Sequence, residues 1–307
     1  MTKTKTKKKT PSTASKSQSG SKKEKKIAVL YHKQCLDGFT SAWIASLYFG
    51  SKAEYIPLVH QTPMPKNLAG KEIYMIDFCY NADVMEKIKK VASKLVVIDH
   101  HISQKEAIKI SDEYLYDVKH SGAALAWQYF FGTSKVPKIV SYVEDRDIWK
   151  NKIKDAIPVL ATLNTLEFDF KKWSAFAKKL ETAKTRTEII KEGNIILRGE
   201  NEMIRNIIQS AEPVKILGKN ALAVNSPVLV SEIGNILATA AGGLGIVWCV
   251  KSGKIKISIR AVGKADAQKI AVKFGGGGHV GAASFNIPYD GKPIKLPWGP
   301  GKFKYEL

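Results

Sequence analysis

Three short apolar runs each lead into residues able to hold a metal ion. Leu95-Val96-Val97-Ile98 runs into Asp99-His100-His101, Ile27-Ala28-Val29-Leu30-Tyr31-His32 into Asp37-Gly38, and Ile73-Tyr74-Met75-Ile76 into Asp77. Such runs predict buried strands, and in an open α/β sheet ligands bind outside the carboxyl ends of the strands. Carboxylates and imidazoles collected along one such edge predict a shared metal site. Oxygen donors with one or two imidazoles suit a hard or borderline divalent ion, and the histidines tilt the choice from Mg2+ towards Mn2+. Two such ions about 3.5–4 Å apart stabilise the attacking and leaving oxygens of an in-line phosphoryl displacement and lower the pKa of a bridging water. Singly, each residue has a plainer role: Asp37 as a helix cap, Asp77 and Asp99 as turn formers, His32 as a histidine packed by the sheet. Their joint occurrence argues for the site.

Further along, Glu144-Asp145-Arg146-Asp147-Ile148-Trp149 supplies another carboxylate, Asp145 or Asp147, with Asp145 preferred. Phe274-Gly275-Gly276-Gly277-Gly278-His279 places four glycines before a histidine. Four such positions tolerate positive φ, and their successive amides can form an anion-binding nest. Ile257-Ser258-Ile259-Arg260 reads as an alternating strand ending in a guanidinium, which matches phosphate in a bidentate fork. The plainer alternatives are a flexible loop and a surface cation.

The ordered set His32…Asp37-Gly38…Ser41-Ala42, Asp77, Asp99-His100-His101, Asp145/Asp147 and the glycine-rich stretch resembles the DHH phosphoesterases. The resemblance implies a metal-binding domain followed by the family's associated substrate-binding domain. It implies Asp77 as the carboxylate shared between ions, with Asp37, His100 and Asp145 completing one ion and His32 holding the other. Asp99 joins the metal set, and His101 is implied as a contact to substrate or leaving group. Arg260, Gly276, Gly277 and Gly278 are implied to bind the nucleotide, with His279 reaching towards the scissile phosphate. Cys35 departs from the pattern by standing where the family has an aspartate, and a thiolate is a poor partner for Mn2+. The His32 position then binds weakly, takes a Cys-compatible metal or stays empty, so one ion is as open as two. The activity implied is an Mn2+-dependent phosphodiesterase acting on short RNA or DNA oligonucleotides. A nucleotide phosphatase of pAp type, a cyclic-dinucleotide phosphodiesterase and a non-catalytic nucleotide binder remain alternatives. Tyr80 and Trp149 lie close enough in sequence to these residues to stack bases, though such residues are more often core.

The charge agrees with a polyanionic partner. Formal net charge is +21 over 307 residues, and residues 1–26, with ten Lys and one Glu, carry +9 of it, leaving +12 on the remainder. Basic bodies of this kind favour nucleic acid or nucleotides. The arm has too few large apolar side chains to fold and reads as a disordered tether, a nuclear import signal or a solvated tail. Cys35, Cys79 and Cys249 are scattered and odd in number, which argues against a disulfide framework and for a reducing compartment. An intracellular, cytoplasmic protein follows, with a nuclear one open through the arm; a homodimer is open too. Ile233–Val250 approaches membrane length but is broken by Gly242-Gly243, so no membrane partner is expected.

Alternating strands and helices from residue 27 predict an α/β fold, a doubly wound and mostly parallel sheet. A helix opens at Asp37 and runs to about Tyr48, another covers Ala82–Lys94, a third follows Ser121 as N-cap, and Pro137–Tyr142 leads into the acidic turn. Residues 169–211 are predicted helical, their last part connecting to a smaller α/β domain. The expected organisation is arm 1–26, metal domain 27–175, helical linker 176–211 and substrate domain 212–307.

Overall fold

A computed structural model describes residues 25–33, 35–59, 62–305 and 307. The basic arm therefore lies outside the described residues up to position 24. Strands β1 (Ile27–His32), β2 (Ala53–Leu58), β3 (Glu72–Ile76), β4 (Lys94–Asp99) and β5 (Glu113–Tyr116) form one sheet in the order β2-β1-β3-β4-β5. Every pairing in it is parallel. A parallel sheet must be covered on both faces, and this one is. Val29, Tyr31, Val96 and Ile98 pack against α1 (Leu36–Phe49) and, after α2 (Ala82–Val91) and α3 (Lys105–Ile108), α4 (Gly122–Phe131). Ala28, Leu30, Leu95 and Val97 point the other way, onto Met85 and Ile88 of α2. The order reverses between β1 and β3, and such a switch point is where ligands bind.

Helix α5 (Lys138–Asp147) is longer than predicted, so the acidic stretch lies in its last turns rather than in a turn beyond it. Helix α2 ends three residues before the predicted Lys94, which instead opens β4. Helices α6 (Ala156–Asn164), α7 (Phe170–Glu181) and α8 (Ala183–Ile208) follow; α6 had no predicted counterpart. The connecting helix is anchored at both ends. Ile189 of α8 joins the first core, whereas Ile204 packs with Leu222, Ile233 and Leu237 in another. Gly193 permits this crossing, because a Cβ there would lie 1.8 Å from the Pro158 carbonyl oxygen of α6.

The second sheet holds β6 (Glu212–Ile216), β7 (Lys219–Asn225), β8 (Leu244–Lys251), β9 (Lys254–Ala261), β10 (Gly277–Gly278), β11 (Ala282–Pro288) and β12 (Gly299–Pro300). Its order is β10-β11-β9-β8-β7-β6-β12, with β7 and β8 parallel and the other pairs antiparallel. Helices α9 (Val230–Ala240) and α10 (Ala267–Lys273) accompany it. The membrane-length stretch divides between α9 and β8, and among the described residues no helix is long and apolar enough to cross a membrane.

Candidate metal centre and facing cleft

Register brings the three strand ends level. Tyr31 pairs with Ile76 and Ile76 with Ile98, so the next residues, His32, Asp77 and Asp99, line one edge of the sheet. Asp77 takes the left-handed conformation at φ 52° while its amide still donates to the Ile98 carbonyl at 2.9 Å. That conformation is uncommon outside glycine but tolerated by aspartate. Gly38 seats the first turn of α1 directly on the end of β1, because a Cβ there would approach the His32 carbonyl oxygen to 2.3 Å.

Asp37 is held by the first turn of α4. The amides of Gly122 and Ala123 donate to its two carboxylate oxygens at 2.6 and 2.9 Å, and Ser121 caps the same turn by accepting from the Ala124 amide. A helix amino terminus favours an anion, which accounts for a carboxylate that is only 1% exposed. Gly122 is required by space, since a Cβ would lie 2.6 Å from the Cβ of Asp77. His100 Nε2 sits among three carboxylates, 3.3 Å from Asp77 Oδ1, 3.6 Å from Asp147 Oδ2 and 3.8 Å from Asp37 Oδ2. His32 Nδ1 approaches Asp77 Oδ2 from the other side at 3.8 Å.

The two carboxylates at the end of α5 have different surroundings. Asp145 accepts from the amides of Lys152 and Ile153 at 2.8 and 3.2 Å, tying down the chain after α5. Two residues on, a helix has turned by more than half a revolution, and Asp147 is the carboxylate grouped with Asp37 and His100. Asp99 works mainly through one oxygen: Oδ1 accepts from the His100 and His101 amides at 2.7 and 3.2 Å and faces His101 Nδ1 at 2.7 Å. This contact fixes the imidazole's orientation.

Crowded buried carboxylates shift one another. Burial, then the charges of Asp37, Cys35, Asp147 and Asp99, hold the Asp77 carboxyl well above the usual carboxylate range. Burial and the Asp37 charge push Asp147 up to about 8. Burial lowers His100 against the pull of Asp37. It also opposes protonation of His101, but the hydrogen bond and charge of Asp99, with the charges of Asp147 and Asp37, together outweigh it and the net shift is upward. Burial, with the Asp37 charge behind it, pushes the Cys35 thiol up to about 12.

These donors fit a divalent cation. Asp77 Oδ1, Asp99 Oδ2 and Asp147 Oδ2 are buried oxygens without a hydrogen-bond partner among the described residues. An uncompensated buried charge costs several kcal/mol. Cations would compensate such oxygens, and within each of three groups the donor atoms lie within 4.8 Å of one another: Asp77, Asp99, His100 and His101; His32, Cys35 and Asp77; and Asp37, His100 and Asp147.

Across from the cluster, the His279 ring stacks at 6.4 Å from that of His101, their planes 21° apart. A cleft of about 830 Å³ opens beside them, lined by His101, Lys254, Lys256, Gly277, His279 and Asn286. The tetraglycine is not a free nest. Positive φ is confined to Gly275 and Gly278, and the amides of Gly275, Gly276 and His279 donate to the carbonyls of Val272, Ala271 and Ala282. Gly276 is demanded by packing, its Cβ position lying 2.2 Å from the Ser284 carbonyl oxygen, while Gly277 has open space. Arg260 is partly buried, with Nη2 donating to Ser231 Oγ at 2.7 Å and Nε without a partner among the described residues. Tyr80 is buried and Trp149 exposed, its ring covered by the Arg146 guanidinium at 4.5 Å. Lys254 and Lys256 had no predicted role, although their alternation with Ile255 and Ile257 was visible in the sequence.

Sheet order, the strand-end cluster and the facing glycine-rich half make up a RecJ-like fold. The structure aligns with RecJ of Thermus thermophilus, solved with Mn2+, at a TM-score of 0.52 and 15% identity, covering 85% of this chain and 49% of RecJ. This chain thus spans about half the length of RecJ. A pGpG-specific phosphodiesterase, PggH of Vibrio cholerae, aligns at a TM-score of 0.47 and 15% identity, covering 86% of this chain and 94% of that one. No family model matches the chain. It is 31% identical over 287 residues to the uncharacterized protein R106 of Acanthamoeba polyphaga mimivirus, covering 85% of this chain and 67% of that protein, and belongs to the same family.

Proposed function

We propose that this chain is a divalent-metal-dependent phosphodiesterase that hydrolyses short oligonucleotides, with Mn2+ preferred to Mg2+. The observation that carries the reading is the gathering of Asp37, Asp77 and Asp147 about His100 Nε2, with three buried carboxylate oxygens left without hydrogen-bond partners among the described residues. His32, Asp37, Asp77, Asp99, His100 and Asp147 would hold metal. A divalent ion there supplies positive charge to the phosphate and makes hydroxide accessible near neutral pH. The chain's own groups do the rest. His101, oriented by Asp99, is placed to give a proton to the leaving oxygen, a role suited to an imidazole held more basic than usual. Arg260, Lys254 and Lys256 offer cations to the substrate's phosphates, and His279 closes the cleft opposite His101. Residues 27–175 and 212–307 serve as the metal and substrate domains, with the helical segment 176–211 between them.

The test is cleavage of 5′-labelled RNA and DNA oligomers from two to about twenty residues, with Mn2+, Mg2+ or chelator. A ladder that requires metal and disappears in an Asp77→Asn, His100→Ala variant is expected. Oligomer binding without cleavage under any metal would establish the non-catalytic binder instead.

A further inference from the structure

The donors around Asp77 are not alike. On one side His100 Nε2 is approached by the carboxylates of Asp37, Asp77 and Asp147. On the other side the third donor is a thiol, because His32, Cys35 and Asp77 each bring one donor atom within 4.8 Å of the others. We propose that His32, Cys35 and Asp77 form a thiolate subsite for a borderline, thiophilic divalent ion such as Zn2+, Co2+ or Fe2+, beside an oxygen-and-imidazole subsite at His100 that takes Mn2+ or Mg2+. The inference rests on the metal-dependent reading above and specifies its ions.

Geometry supports it first. His32 Nδ1 and Asp77 Oδ2 are 3.8 Å apart. Nitrogen and oxygen bonds of about 2.0–2.2 Å give a tetrahedral edge of about 3.3–3.5 Å, so a closing movement of about half an ångström brings the pair to that spacing. Asp77 is 2% exposed and stands between the two subsites, with Oδ2 facing His32 and Oδ1, which has no hydrogen-bond partner among the described residues, facing His100. Cys35 is positioned by rigid structure. It is the N-cap residue of α1, in extended conformation, and its carbonyl accepts the Phe39 amide at 3.0 Å. With Gly38 locking that helical turn onto β1, the distance from Cys35 to His32 is set by backbone contacts.

Chemistry then decides which ion. A thiolate carries the same single negative charge as an aspartate, so the total charge offered to the ions is unchanged. What changes is softness, since sulfur favours Zn2+ and its neighbours while Mg2+ and Mn2+ prefer oxygen. Binding converts Cys35–SH to a sulfur–metal bond and releases one proton to the buffer. The other cysteines do not compete. Cys79 is buried against the Tyr80 carbonyl oxygen at 3.3 Å and Cys249 lies on β8, and neither falls in a metal-capable group among the described residues.

The experiment uses the full chain, stripped with chelator and titrated with Co2+ while the near-ultraviolet spectrum and bound cobalt are recorded. A thiolate-to-cobalt charge-transfer band saturating at one equivalent is expected, with one equivalent of Zn2+ displacing it. Cys35→Ser should abolish the band while cobalt still binds at the His100 subsite, and Cys249→Ala should keep it. Cys35→Asp should tighten Mn2+ binding by about tenfold or more. Cobalt bound without the band, or a band surviving Cys35→Ser, overturns the thiolate subsite and leaves the enzyme reading standing, provided binding still requires Asp77. Binding of no ion at all by the wild-type protein overturns both.

Discussion

Replacing Asp147 and Asp145 separately by asparagine should move stability in opposite directions, because neighbouring carboxylates of one helix have opposite surroundings. Asp145 accepts two backbone amides. An asparagine there turns an NH2 group towards one of them and should cost about 1–3 kcal/mol with or without metal. Asp147 has a buried oxygen with no hydrogen-bond partner among the described residues, and its carboxyl titrates at about 8 rather than 3.8. A carboxyl whose folded value lies above its unfolded value binds its proton more tightly in the folded chain. The stability this confers is present at acid pH and is lost as pH rises from 3.8 through about 8. Each tenfold in proton affinity is about 1.4 kcal/mol, which sets a ceiling near 6 kcal/mol for this span; relaxation and water leave several kcal/mol per buried ion. In chelator at about pH 9, Asp147→Asn should therefore raise the thermal midpoint by several degrees, at about 2 °C per kcal/mol. The difference should vanish towards pH 4. Addition of Mn2+ at about a hundredfold its Kd should stabilise wild type and Asp145→Asn by about 2.7 kcal/mol and Asp147→Asn far less. Calorimetry across pH with and without Mn2+ decides the matter. A metal-induced shift lost in Asp145→Asn but kept in Asp147→Asn would refute the geometry, and so would an Asp147→Asn protein no more stable than wild type in alkaline chelator.

Single contacts elsewhere have equally definite consequences. Gly122→Ala would push a methyl onto Asp77 and Asp37 Oδ2; metal affinity by calorimetric titration should fall about tenfold or more, since positioning groups of metal ligands are worth that much, and unchanged affinity would show that the site yields. Gly276→Ala should cost about 1–3 kcal/mol by overpacking against β11, whereas Gly277→Ala should change thermal stability by less than about 1 kcal/mol; equal effects would return the stretch to a loose loop. Asp99→Asn leaves an acceptor oxygen for His101 but removes the charge that raises it most among its neighbours, so imidazole NMR titration of the chelated protein should show His101 titrating at lower pH, and no movement would show that the Asp99 charge does not hold it up.

Much of this protein is written locally. Apolar runs ending in Asp or His marked β1, β3 and β4 and the edge they share, because a continuous apolar run and a polar stop are properties of neighbouring residues. Ser121 likewise announced α4 through its capping chemistry. What the sequence left undecided depended on direction and distance. Asp145 and Asp147 are the same residue type two positions apart, and only the rotation of α5 against α1 and α4 sends one to the chain's own amides and the other to His100. The four glycines look interchangeable, yet packing against β11 spends Gly276 on close approach and leaves Gly277 open. The partnership of Asp37 with the Gly122 and Ala123 amides joins residues 85 and 86 positions apart. Chain order fixes which donors exist and which strand end carries each; the parallel register and the packing of α4 and α5 onto α1 fix which of their atoms meet.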